Sequence, residues 1–182
     1  DMRGAPGGGR ALAVSLARKA AEFIAQPGGP QAAVLEWGGW DTHANQTAPN
    51  GALANNLGTL DAVLATLRQT LVAPAAADTW RRTVVLVVTE FGREVSPNGT
   101  QGTDHGTGGA AFLLGGAVQG GRVLADWPGL ARQDRFEGRD LRITTDLRAV
   151  LRTVLSQHLA VPTAALDRNL AYLGLVDLLY GY

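Results

Sequence analysis

The chain has 182 residues, 46% hydrophobic and 18% charged, with 16 basic side chains against 16 acidic ones. That is the composition of a folded globular domain, or of part of a larger one, with no net field to draw in nucleic acid or anionic lipid. Without cysteine there are no disulfides and no thiolate metal sites. No run approaches the roughly 20 apolar residues of a membrane span, and Asp1-Met2-Arg3-Gly4 does not open a signal peptide. The basic residues are almost all arginine, which, beside abundant alanine and glycine, reads as GC-rich coding rather than as a phosphate site.

Residues 1–9 are rich in Gly and Pro and read as a loop or a cut linker, with residues 10–182 forming the domain proper. Leu12, Leu16, Ala20, Phe23 and Ile24 recur at helical spacing until Pro27-Gly28-Gly29-Pro30 stops the helix. Ala32 to Trp37 reads as a short apolar strand and runs into the polar loop Gly38 to Asn45. Leu53, Leu57, Leu60, Leu64, Leu67 and Leu71 then step by threes and fours, which predicts a helix with one apolar stripe. Pro74 and the alanines after it lead into Thr83 to Thr89, β-branched at nearly every position and without polar alternation. Such a strand is expected to be covered on both faces of a parallel sheet. Strand, helix and strand together predict a right-handed β-α-β crossover, with both polar loops on one edge of the sheet, the edge where ligands bind in open α/β folds.

Glu90 ends that second strand, and a glycine-rich loop follows as far as Gly109. Residues 110–114 read as a third strand and Leu141 to Ile143 as a further short one. Thr145 is the expected N-cap of a helix running to His158, with Asp146 a favourable charge in its first turn. The apolar tail, 163–182, is expected to pack on the body. No internal repeat or low-complexity tract interrupts this order.

The chemistry concentrates in the two polar loops. Asp41 and His43 are two apart, so extended backbone sends both side chains from one face, half of a zinc-type site. The plainer reading has Asp41 capping the next turn and His43 hydrogen-bonded in the loop. His105, among the glycines of 102–109, would complete three N/O ligands and leave a position open for water or substrate. His158, in the last turn of a helix, reads as structural. Glu90 at a buried strand end needs a partner, either a metal or Arg93 three residues on. Gly106 to Gly109 fits no dinucleotide or Walker pattern, and there is no G-x-S-x-G elbow.

GGWDTHANQ, VVLVVTEFGRE, GTDHGTGGAAFLLGGAVQGGRVLADWPGL and TTDLRAVL, in that order across about residues 10 to 160, resemble the carboxyl-terminal half of the bacterial family domain of unknown function 1501. That family looks sulfatase-like and is placed in the alkaline phosphatase superfamily. The resemblance implies an α/β fold, a three-layer alkaline-phosphatase-like sheet flanked by helices, of which this chain is an incomplete, C-terminal portion. It implies a divalent metal, zinc in the first place with manganese or calcium as alternatives, and hydrolysis of phosphate or sulfate monoesters. Asp41 and His43 match the superfamily's Asp and His for a first metal, with one residue between them here instead of three. His105-Gly106-Thr107-Gly108 is similar to the segment bringing that metal's other His. Thr89-Glu90-Phe91-Gly92 resembles the second-metal segment, with Glu90 in place of Asp and Phe91 in place of His; a phenyl ring cannot coordinate.

The nucleophile belongs to an amino-terminal half that nothing before Asp41 matches, so no catalytic residue is assigned in this chain. Arg93 and Arg122 are the candidates for neutralising a small anionic ester. Export to the periplasm or outside the cell is implied by the family alone. The rival expectation is a non-catalytic metal- or glycan-binding module on the same scaffold, which Phe91 favours; a phosphomutase would need a second phosphosugar pocket. Nothing in the sequence fixes an oligomeric state.

Overall fold

The computed structural model describes residues 8–73 and 76–172; of the loop or linker expected over 1–9, residues 1–7 lie outside the described residues and Gly8 and Gly9 already belong to a helix, while Pro74, Ala75 and the tail beyond Tyr172 also lie outside. The described residues are mixed α/β, with five α-helices and two small antiparallel sheets, and the chain divides into two compact units. The first holds the chain up to Thr83 together with 100–102 and 115–117; the second holds 84–99, 103–114 and 118 onward.

The first unit is built on α1 (Gly8–Ile24) and α2 (Ala52–Leu71), followed by the short α3 (Ala77–Arg81). Both long helices stand where the apolar spacing places them, but α1 buries a different stripe. Leu12, Leu16 and Phe23 are exposed, Phe23 by 53%, while Ala13, Ala17 and Ala21 are buried. Alanines at every fourth position form a low ridge that lets a neighbouring helix come close, whereas leucine and phenylalanine there would hold it off. Ala13 and Ala17 accordingly share a core with Val63 of α2, flanked by Val14, Leu35, Trp37 and Leu67. On α2 the buried face also carries Thr59 and Thr66. Their hydroxyls donate to the carbonyls of Asn55 and Ala62 one turn back, so neither is left unsatisfied.

Residues 32–37 form no strand. Leu35 and Trp37 turn toward the helical core while Val34 is 91% exposed, so the backbone has the alternation of a strand without a ladder beside it. Strand pairing needs a hydrogen-bonded neighbour as well as an apolar sequence, and among the described residues this segment has none. The expected parallel β-α-β crossover is therefore not seen: the paired strands are antiparallel.

In the second unit β1 (Val85–Val87) pairs with β4 (Phe112–Leu114), Val85 opposite Leu114 and Val87 opposite Phe112. The strand expected over 83–89 is thus shorter, and its residues are half-buried rather than enclosed on both faces. The strand expected at 110–114 is its partner. Between them, β2 (Gly92–Arg93) pairs with β3 (His105–Gly106). No strand forms over 141–143; instead Asp140 makes single bridges to Glu94 and Phe136. Its fully buried carboxylate is gripped at both oxygens by Arg139, at 2.9 and 3.3 Å.

The last helices are α4 (Leu147–Thr153), continued by a π turn over Val154–His158, and α5 (Thr163–Tyr172). Asp146, not Thr145, caps α4: its Oδ1 accepts from the Arg148 backbone N–H at 2.8 Å. The Arg148 guanidinium closes on the same carboxylate and holds the Asp146 pKa below its usual range. Among the described residues no helix is long and apolar enough to cross a membrane.

Candidate metal and anion site

The first half of the site is the loop after the 32–37 segment. Thr42 is buried while Asp41 and His43 are exposed, so the backbone alternates as extended chain must and sends the two candidate ligands out together. His43 Nε2 lies 2.9 Å from Asp41 Oδ1. Thr42, on the inner side, donates its hydroxyl to Gln46 Oε1 at 2.7 Å.

This loop is pinned by residues 100–102 of the same unit. The backbone N–H groups of Asn45 and Gln46 donate to the carbonyls of Thr100 and Gln101, at 3.0 and 2.9 Å, and the Thr100 hydroxyl donates to the His43 carbonyl at 2.6 Å. Gly102 packs so closely on the backbone of His43 that a Cβ there would collide with the His43 carbonyl. Glycine is what permits the approach. His43 is therefore held through its own main chain.

The second half of the candidate set belongs to the second unit. Gly92 stands opposite Gly106 and Arg93 opposite His105. Residues directly across a ladder share a face, and so do residues two apart, which places Phe91, Arg93 and His105 on one face. The other face is closed by backbone: a Cβ on Gly92 would collide with Gly108, and one on Gly106 would lie 2.5 Å from the Arg93 carbonyl carbon. On the side-chain face the His105 imidazole stacks on Phe91, with ring centroids 4.1 Å apart and planes 25° from parallel. The Arg93 guanidinium lies 5.4 Å from the Phe91 centroid, and its Nη1 donates to the Thr103 carbonyl at 2.7 Å. Asp104, next to His105, accepts from Asn98 Nδ2 at 3.1 Å.

The remaining candidates stand apart from these. Glu90 is exposed and, among the described residues, makes no ion pair with Arg93 or any other cation, so the premise that it ends a buried strand does not hold. Arg122 is exposed and donates from Nε to the Gln119 carbonyl of its own turn at 3.2 Å. His158 is half-buried in the π turn closing α4. Phe91, read from the sequence as a lost ligand, turns out to carry the ring against which His105 rests. The signal for that was the shared parity of positions 91 and 93, legible once the pairing with 105 is known.

A family model described as "Protein of unknown function (DUF1501)" matches residues 14–177, nearly the whole chain. No curated protein and no solved structure matches it.

Proposed function

This chain belongs to the DUF1501 family, and we propose that it is the metal-bearing part of a hydrolase acting on phosphate or sulfate monoesters within an alkaline-phosphatase-like scaffold. The observation that carries this reading is the Asp41–His43 pair, a carboxylate oxygen and an imidazole nitrogen 2.9 Å apart on an exposed, backbone-pinned loop. We assign His105 as the third donor. That assignment rests on the likeness of His105-Gly106-Thr107-Gly108 to the segment that brings a first metal's other histidine.

The donor set fits a borderline cation. Two imidazoles with one carboxylate suit zinc, and manganese after it, better than calcium, which prefers oxygen throughout. A divalent ion held there supplies Lewis acidity toward an ester oxygen. Arg93 contributes positive charge beside His105 for an anionic substrate, as its guanidinium is oriented by Thr103 and Phe91. Arg122 is left with a weaker claim, tied as it is to its own turn. Glu90 is left outside the donor set. The attacking nucleophile is not assigned among these residues, and export to the periplasm follows from the family resemblance alone.

Metal analysis of the full-length protein, with the amino-terminal half that this reading requires, paired with hydrolysis of p-nitrophenyl phosphate and p-nitrophenyl sulfate, tests this reading. About one equivalent of zinc or manganese per chain is expected, with both metal and turnover lost in Asp41→Ala and His43→Ala. The stacked, non-coordinating Phe91 favours one alternative, a metal-binding module without catalysis. That alternative takes over if metal binds and neither ester is cleaved, and both readings fall if no metal is retained.

A further inference from the structure

We propose that Phe91 is a positioning residue for His105, its ring fixing the plane in which the imidazole presents its nitrogens. The proposal rests on the assignment of His105 as a metal donor, but its geometry stands within the second unit by itself. An imidazole turns about its Cβ–Cγ bond in a broad, shallow well, so a ligand histidine on an exposed strand needs something to hold its plane. Ligating histidines usually get this from a hydrogen bond to a second group. A phenyl ring 4.1 Å away and 25° from parallel adds its own restraint on the same rotation, by contact.

The surroundings explain how the contact is maintained. Phe91 is half-buried, and its carbonyl accepts from the Thr89 hydroxyl at 3.0 Å, which fixes the backbone just before β2. Arg93 sits beside the same ring while its Nη1 is spent on the Thr103 carbonyl, two residues before His105. A side chain at Gly106 would meet the Arg93 backbone across the ladder and push the two strands apart, and one at Gly92 would collide with Gly108 just beyond β3. In this role the flatness of the phenyl face matters more than its volume. Leucine of similar bulk would fill the space without defining a plane.

Zinc titration of the whole protein by competition with a chromogenic chelator tests this, using Phe91→Leu, Phe91→Tyr and His105→Ala beside the unaltered chain. Loss of an outer group that orients a ligand costs about tenfold in metal affinity, so Phe91→Leu is expected to bind roughly tenfold more weakly. Phe91→Tyr, which keeps the flat face, should bind as the unaltered protein does. The metal-free protein gives a second readout: ring stacking shifts the His105 proton resonances upfield, and this shift should vanish in Phe91→Leu and persist in Phe91→Tyr. If His105→Ala weakens zinc binding and a folded Phe91→Leu does not, the positioning role is overturned and the metal reading survives. If His105→Ala leaves affinity unchanged, both fall. Should Phe91→Leu fail to fold, a folded Phe91→Tyr that binds tenfold more weakly, or a His105 resonance unshifted in the unaltered protein, overturns the proposal.

Discussion

The α1–α2 pair and the segment from Glu90 to Gly109 are held in their conformations by opposite means. In the helices the information lies in side chains: buried alanines on α1 meet Val63 and Leu67 of α2, and the local spacing already says that both segments are helical. In the loop segment it lies where side chains are missing. Gly92, Gly102 and Gly106 let strands and turns approach to distances no other residue allows, and the functional side chains stand on the opposite faces. A packed helix pair tolerates repacking, whereas a backbone contact at glycine has nowhere to move.

The sharpest way to break this comparison is to add a side chain at one of those glycines. Gly92→Val drives its Cβ into Gly108 and should cost at least about 4 kcal/mol, the size reserved for disrupted backbone. Chemical denaturation would show it, and loss of less than about 1 kcal/mol would mean that the strands can part freely. Leu71→Ala, at a position only 1% exposed, is expected to cost about 3 kcal/mol by the same measurement. The helix should persist by circular dichroism, because the remaining stripe still packs.

A smaller effect is expected at the start of α4. Asp146→Ala removes an N-cap and should cost about 1 kcal/mol near neutral pH. The Arg148 side chain holds the Asp146 carboxyl below its ordinary value, so this stabilisation is complete above the usual carboxylate range. It fades as pH falls through the lowered value, and thermal melts of the two proteins should converge in strong acid. The pair is partly solvated, which screens the charge contribution. Val34→Ser should change stability by less than about 0.5 kcal/mol, since Val34 is nearly fully exposed. A larger loss would show that this segment is covered in solution.

How much was legible in the sequence follows the same division. The leucine steps from Leu53 to Leu71 specify α2 almost to the residue, because the period is local and long. For α1 the helix was legible and its buried face was not: hydrophobicity points to the leucines, whereas close packing selected the alanines one position on. Residues 32–37 have a strand's composition without a paired neighbour, and pairing is a property that no short segment contains. Alternation around Thr42 correctly put Asp41 and His43 on one face. The stacking of Phe91 on His105 was out of reach, since it depends on a two-residue ladder between segments separated by residues 94–104. Thr145 and Asp146 are both good caps, and the choice between them was made by Arg148.

X-ray absorption at the zinc edge of the protein loaded with one equivalent of zinc addresses most directly whether Asp41, His43 and His105 share a cation. Two imidazole shells and a carboxylate oxygen are expected, falling to one imidazole in either His43→Ala or His105→Ala. A first shell of oxygen alone, or two imidazoles that survive both substitutions, would contradict the account.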